Sequence, residues 1–167
     1  PAAWLDGFVA GLALDQAEFG LQVLGGDTVS TPGPVSLSLT ILGTVPPGQA
    51  LRRGGARPGD ALWVSGSIGD GALGLRAARG EIPDPDGYLA SRYRLPQPRL
   101  ALGRALRGLA TACMDVSDGL VQDLGHLARA SGCGAVLEAA LVPLSPQARG
   151  ADLGLLITGG DDYELLF

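Results

Sequence analysis

The chain has 167 residues, and 46% of them are hydrophobic, so it can bury a core and lacks the composition of a disordered protein. Its net charge of −5 has the wrong sign for a nucleic-acid-binding protein, because such proteins use basic residues to neutralise phosphates. The sequence has neither a Lys/Arg block nor an apolar run approaching the ~20 residues of a membrane helix. We therefore expect no nucleic-acid partner and no membrane partner.

The first part of the chain predicts one helix and two strands. Apolar residues recur with the helical period over 4–19, and Gly20 follows as a stop signal. The short apolar run 21–24 predicts a strand. Residues 35–45 alternate between apolar and polar side chains, which predicts a half-buried strand, and 29–34 forms the turn before it.

The composition changes at residues 47–60, which are rich in Pro, Gly and Arg and are predicted to be a linker. We accordingly divide the chain into a first domain at 1–46 and a second at 61–167. The second is predicted to contain strands at 61–65, 112–116, 135–140 and 155–158, with helices at 71–79 (capped by Asp70 and closed by Gly80), around 88–93, from Pro98 through 109, at 119–131 and after the cap Ser145. This alternation indicates a layered α/β or α+β fold.

Three acidic groups each follow a short apolar run. They are Gly25-Gly26-Asp27, the segment 115–119 and the segment 159–164. Strand ends that face one crevice are common ligand sites, and clustered carboxylates attract hard cations such as Mg²⁺. The alternative for each Asp is a helix cap or a turn, and Asp118 is suited to both roles because it precedes the helix 119–131.

Other polar motifs have structural interpretations beside functional ones. The glycine-rich loop 65–71 is either a structural turn or a phosphate loop, although it lacks the lysine of the P-loop motif. His126 is the single histidine, so we expect a packed or hydrogen-bonded side chain and neither a triad nor a multi-histidine metal site. The two cysteines, Cys113 and Cys133, are expected to be reduced thiols of a cytoplasmic protein.

The motifs taken together resemble a known family. They are Gly-Gly-Asp-Thr at 25–28, Ala-Leu-Arg-Arg-Gly-Gly-Ala-Arg-Pro-Gly-Asp at 50–60, Asp-Val-Ser-Asp-Gly-Leu at 115–120 with Asp-Leu-Gly-His at 123–126, and Gly-Gly-Asp-Asp-Tyr-Glu-Leu at 159–165. In this order they resemble the thiamine-monophosphate kinases of the aminoimidazole-ribonucleotide-synthetase-like superfamily.

The resemblance implies a two-domain α/β (α+β) fold and a homodimer. The chain would hold the end of the N-terminal domain and the first part of the C-terminal domain. It begins at Pro1 and ends in an apolar run resembling the inside of a strand, so we expect a portion of a longer protein that is not a complete catalyst by itself.

The resemblance also assigns residues and a reaction. It implies that Asp27, Asp115 and Asp118 bind Mg²⁺, and that ATP contacts Gly26, Asp27, Arg53 and Ser117. It implies that Asp161, where the family usually has Glu, contacts thiamine phosphate. The expected reaction is direct transfer of the ATP γ-phosphoryl group to thiamine phosphate, which is already anionic and needs no catalytic base among the residues.

Two alternatives remain open at this point. One is another ATP-using member of the superfamily, of the hydrogenase-maturation or purine-synthesis type. The other is a truncated, non-catalytic module that only binds a nucleotide or a partner.

Overall fold

The computed structural model describes residues 2–167, which divide into two compact units. The first unit ends at Thr44 and the second spans Val45–Phe167. None of the helices described has the length and apolar content needed to cross a membrane.

The first unit contains helix α1, Ala2–Phe19, as the helical period of the sequence predicted. Gly20 follows with a φ of 66°, a left-handed conformation that suits glycine and ends the helix. The predicted strands at 21–24 and 35–45 are wrong, because residues 21–44 are described without any strand. An alternating sequence forms a strand only when a neighbour pairs with its backbone, and the apolar residues of 35–45 are exposed here.

The second unit has five helices and two strands among its described residues. In chain order these are α2 (Asp70–Ala78), α3 (Tyr88–Arg94), α4 (Leu100–Ala105), β1 (Met114–Val116), α5 (Leu120–Ser131), α6 (Leu153–Thr158) and β2 (Glu164–Leu166), with 3-10 turns at Ala139–Leu141 and Pro146–Ala148.

Strand β2 is the centre of a small antiparallel arrangement. On one side it pairs with β1, in the register Met114 to Leu166 and Val116 to Glu164. On the other side Trp63 exchanges two backbone hydrogen bonds with Phe167, and Val64 lies opposite Leu166. The predicted strand at 61–65 is therefore present as a short pairing. The apolar run at the end of the chain is a strand, with neighbours on both sides.

Two apolar clusters form the core of the second unit. The larger lies under the strands and α5 and includes Ile68, Val116, Leu120, Leu124 and Leu166. The smaller joins α2, α3 and α6 through Leu73, Leu89 and Leu156. These clusters fix β1, which carries Asp115, and α6, which precedes the acidic segment 159–164.

Several predicted elements of the second unit differ from the structure. The run at 155–158 is part of helix α6, whose N-cap Asp152 accepts a hydrogen bond from the Gly154 amide. The predicted strand at 135–140 is wrong, because the chain there is irregular and leads into a 3-10 turn. The helix expected from Pro98 through 109 is shortened to α4.

The predicted caps had different outcomes. Ser145 caps the turn at Pro146–Ala148, accepting a hydrogen bond from the Ala148 amide as expected. Asp70 does not cap α2, because the N-cap is Gly69 and Asp70 is the first helical residue. The Asp70 side chain is instead buried among hydroxyl groups.

Candidate functional site

The segment 115–118 presents its carboxylates outward from a buried anchor. Val116 of β1 is fully buried, whereas Asp115, one residue earlier, is exposed, as the two-residue period of a strand requires. Asp118 is also exposed, and Ser117 between them is partly buried. Both carboxylates are therefore accessible to a ligand.

The segment 159–164 packs directly on this strand end. The Asp161 amide donates a hydrogen bond to the Ser117 carbonyl oxygen over 2.9 Å, and the Tyr163 amide donates one to the Val116 carbonyl oxygen over 2.8 Å. A Cβ at Gly160 would overlap the Ser117 carbonyl oxygen, so a side chain there would separate the two segments. The structure thus brings together the sequence-predicted residues Asp115, Ser117, Asp118 and Asp161.

The pKa of Tyr163 is affected by carboxylates of both segments. Burial raises the pKa of its phenol, and the negative charges of Asp161, Asp115 and Asp118 raise it further. The Tyr163 hydroxyl donates a long hydrogen bond of 3.4 Å to Asp161 Oδ1, and 43% of the residue is exposed. Three carboxylates from two distant motifs therefore act on one partly exposed phenol, so negative charge is concentrated at this surface.

The structure tests one of the two roles proposed for Asp118, that of a helix cap. Helix α5 has Gly119 as its N-cap and no side-chain cap, so the capping role is wrong. The Asp118 carboxylate instead accepts a hydrogen bond of 3.2 Å from the Gln122 side chain. Its exposed oxygens remain available to a cation.

Sequence reasoning missed Asp123, which supports this segment from below. Its buried carboxylate accepts hydrogen bonds from the amides of Ser117 (2.9 Å) and Asp118 (3.0 Å). An Asp in the first turn of a helix was visible in the sequence, but its partners were not. His126 is hydrogen-bonded to Arg129 over 3.0 Å, as expected of a helix histidine. Ligand atoms of His126, Asp118 and Asp123 lie within 4.8 Å of one another.

The glycine-rich loop 65–71 is held by a protein carboxylate. Asp162 is 1% exposed, and its two oxygens accept hydrogen bonds of 2.8 Å from the amides of Gly69 and Gly71. These amides are the donors that a phosphate would need, so the structural interpretation of the loop is favoured. Burial raises the pKa of Asp162 to about 6, although the two amide hydrogen bonds oppose this rise.

Glu164 ties the same segment to the helical side of the unit. It is fully buried and accepts hydrogen bonds from Ser65 (2.6 Å), from Arg92 (2.9 Å) and from two nitrogens of Arg99. Burial by itself raises the pKa of Glu164, but the hydrogen bonds and charges of these partners outweigh it and the pKa is lowered. Glu164 is therefore a buried, charged anchor.

The other sequence-predicted site residues are Arg53, Gly26 and Asp27. Arg53 is exposed, and the carbonyl of its neighbour Arg52 accepts a hydrogen bond of 2.8 Å from the Cys113 amide, just before β1. Gly26 and Asp27 belong to the first unit and are exposed there. The Asp27 carboxylate accepts a hydrogen bond of 2.8 Å from the amide of Thr28.

Comparison with known proteins adds independent findings. A family model described as AIR synthase related protein, C-terminal domain, matches residues 57–167. The thiamine-monophosphate kinase of Caulobacter vibrioides is 48% identical in an alignment of length 171, gaps included. The alignment covers 95% of this chain and 48% of that protein. The chain thus spans about half the length of the curated relatives it matches.

Two solved structures are similar in fold as well as in sequence. The thiamine-monophosphate kinase from Stenotrophomonas maltophilia K279a has a TM-score of 0.67 and 43% identity, covering 72% of this chain and 42% of the other. AaThiL complexed with AMPPCP and TMP has a TM-score of 0.61 and 35% identity, covering 70% and 41%. Both identities are high enough for the likeness to concern more than the fold.

Proposed function

This chain belongs to the AIR synthase related family, as its motifs predicted, and we propose that the protein carrying it is a thiamine-monophosphate kinase. The proposed reaction is the ATP- and Mg²⁺-dependent phosphorylation of thiamine phosphate to thiamine diphosphate. The observation that carries the proposal is the hydrogen-bonded junction of segments 115–118 and 159–164, which gathers Asp115, Asp118 and Asp161 around Tyr163.

The proposed metal residues suit a hard cation. Asp115 and Asp118 offer exposed carboxylate oxygens, which are the ligands that Mg²⁺ takes, and we propose that they hold it with Asp27. Bound Mg²⁺ would neutralise charge on the phosphates of ATP and of the acceptor, which otherwise repel each other. Because the site surface is itself negative, we expect phosphates to bind there only together with the cation.

The proposed substrate contacts divide into residues for ATP and a residue for thiamine phosphate. Gly26, Asp27, Arg53 and Ser117 are assigned to ATP, and Asp161 to thiamine phosphate. The AMPPCP and TMP of the AaThiL complex, an ATP analogue and the acceptor, support this choice of ligands. The position of Asp161 supports its assignment, because its backbone is hydrogen-bonded to Ser117 of the ATP segment, and neighbouring donor and acceptor contacts are what direct transfer needs.

In the proposed reaction an oxygen of thiamine phosphate attacks the γ-phosphorus of ATP. The new P–O bond forms as the bond to the β,γ-bridging oxygen breaks, and ADP leaves. The attacking oxygen is already ionised at neutral pH, so no residue needs to remove a proton. Positioning by the chain and neutralisation of charge are then the main contributions to catalysis.

We also propose a homodimer in the cytoplasm. The free thiols of Cys113 and Cys133 support a reducing compartment. The exposed apolar residues of the first unit support a partner surface, because large exposed apolar patches mark protein contacts.

The test is a coupled ADP-release assay on the complete gene product that contains this chain, followed by identification of the product. We expect thiamine diphosphate to form from thiamine phosphate and ATP, and free thiamine to remain unphosphorylated. Activity on formylglycinamidine ribonucleotide but not on thiamine phosphate would instead favour a purine-synthesis enzyme. Nucleotide binding without any turnover would favour a non-catalytic module.

A further inference from the structure

The segment carrying Asp161 has an unfavourable backbone. Asp161 has a φ of 70° and Tyr163 a φ of 50°, and these are the two non-glycine residues with positive φ among the residues described. Side chains other than glycine are strained in this region, a bulky aromatic most of all. Such a conformation persists only where the surrounding structure enforces it.

Asp162, between these two residues, supplies that enforcement. Each of its carboxylate oxygens accepts a backbone amide at the start of α2, from Gly69 and Gly71, over 2.8 Å. Its carbonyl oxygen accepts a hydrogen bond from Arg92 of α3 over 3.3 Å. Asp162 is 1% exposed, so water cannot take over these contacts.

The contact surface beneath the segment is equally restrictive. A Cβ at Gly71 would overlap the Asp161 carbonyl group and lie 2.7 Å from the Gly160 carbonyl oxygen. The start of α2 therefore touches the backbone of Asp161 itself. The geometry of Asp161 is set from both sides, by the Ser117 carbonyl oxygen and by α2 through Asp162.

We propose that Asp162 is a positioning residue for the acceptor substrate. By fastening the strained segment to α2, it holds Asp161 where thiamine phosphate is bound, while remaining out of contact with the substrate itself. This inference rests on the proposed function. The position of the acceptor substrate would then depend on the buried residue Asp162. The binding of ATP should not depend on Asp162.

Asp70 provides a matched control. It is a second fully buried carboxylate at the start of α2, but its partners are the hydroxyls of Ser67, Tyr88 and Ser145, at 2.5, 2.9 and 2.5 Å. None of these partners belongs to the segment 159–164. Replacing Asp70 removes a buried carboxyl group at nearly the same place without releasing Asp161.

The experiment compares Asp162→Asn with Asp70→Asn in the complete gene product. An Asn side chain has one acceptor oxygen, so one of the two amide bonds is replaced by a donor facing a donor. We expect KM for thiamine phosphate to rise about tenfold or more in Asp162→Asn, with KM for ATP within about threefold of the wild type. Asp70→Asn should change neither KM.

The possible results separate this inference from the proposed function. If the wild type does not phosphorylate thiamine phosphate, both fall. If the wild type is active and Asp162→Asn lowers only the amount of active enzyme, with both KM values unchanged, Asp162 is merely structural and this inference is overturned. An equal rise of both KM values would also overturn it.

A second variant acts on the same segment from the helix side. Gly71→Ala places a methyl group against the Asp161 backbone, and we expect the same selective rise in KM for thiamine phosphate. If Asp162→Asn does not yield folded protein, the KM values of Gly71→Ala decide. An unchanged KM for thiamine phosphate in that variant would overturn the inference.

Discussion

Asp115 and Asp152 are both aspartates at a short apolar element, but they have different roles in the structure. Asp152 is the N-cap of α6 and its side chain accepts the Gly154 amide, a role that Asn fills equally well. Burial raises the pKa of both Cys113 and Tyr163, and the charge of Asp115, which is exposed in β1, raises both further. Asp115 therefore acts through its charge, whereas Asp152 acts by capping a helix.

We therefore expect Asp115→Asn to lower turnover at least about tenfold, or roughly 1.4 kcal/mol of transition-state stabilisation, because a proposed Mg²⁺ ligand loses its charge. Asp152→Asn should leave turnover unchanged. Steady-state kinetics at several Mg²⁺ concentrations provide the measurement. Unchanged turnover and Mg²⁺ dependence in Asp115→Asn would remove Asp115 from the proposed site.

The pKa of Asp162 predicts a pH dependence of stability. Burial raises this pKa from 3.8 to about 6, so the folded protein holds a proton that the unfolded chain releases between these values. The contribution of Asp162 to stability is thus fully present below about pH 4 and is lost as the pH rises through about 6.

The Asn side chain of the Asp162→Asn variant does not titrate, so this variant lacks the pH dependence that Asp162 causes. We expect the unfolding free energy of the wild type to fall, relative to that of Asp162→Asn, by up to about 3 kcal/mol between pH 4 and 7. Urea unfolding at several pH values measures both curves. Parallel curves would show that the two amide hydrogen bonds cancel the effect of burial.

At the scale of elements, long periodic segments were predictable and short apolar runs were not. The predicted helices at 71–79 and 119–131 agree with α2 and α5 to within one residue at each end, although the expected cap Asp70 is not the N-cap of α2. Residues 155–158 were predicted as a strand because a short run of three apolar residues before Thr158 fits either structure. The cap Asp152 was the signal for a helix, and it outweighs the strand propensity of the run.

The same division applies to the candidate site. The exposed residues Asp115 and Asp118 and the partly buried Asp161 could be found because Asp and Gly follow apolar runs in a recognisable motif. Their buried supports, Asp123, Asp162 and Glu164, could not be given roles from the sequence. Burial and pairing of these carboxylates depend on tertiary structure: the partners of Asp162 and Glu164 lie 65 to 99 positions away in the chain.

Glu164 connects elements through a buried ion pair, which predicts a large effect of its removal. Glu164→Gln would leave Arg92, whose side chain is 11% exposed, without its partner charge. We expect a loss of roughly 3 kcal/mol in unfolding free energy, reduced somewhat because Arg99 is partly exposed and can be hydrated.

Glu81 offers a surface comparison for this prediction. It pairs with Arg76 and Arg79, all three side chains are about half exposed, and the distances are 3.4 and 3.9 Å. Glu81→Gln should therefore change the unfolding free energy by less than about 1 kcal/mol. Denaturant unfolding of both variants is the measurement, and equal effects would contradict the structural role of Glu164.

At the scale of the whole molecule, the two units differ in how they bury apolar surface. The second unit has two clusters of buried residues and matches the family model over most of its length. The α/β (α+β) fold class predicted from the sequence is confirmed there. In the first unit, Val35, Leu37, Leu39 and Ile41 are 61 to 73% exposed, and its assignment to the N-terminal domain of the family remains a prediction.

This contrast predicts the behaviour of the 167-residue chain by itself. An exposed, alternating apolar segment is a template for pairing with another chain, so we expect the chain to self-associate. The segment Val45–Phe167 contains the core clusters and the paired strands, and we expect it to be monomeric and to unfold cooperatively. Sedimentation velocity and thermal unfolding of the two proteins measure the difference. A monomeric, cooperative transition of the whole chain at an ordinary mesophilic temperature would mean that residues 1–44 bury their apolar side chains in solution, and the predicted partner surface would then be absent.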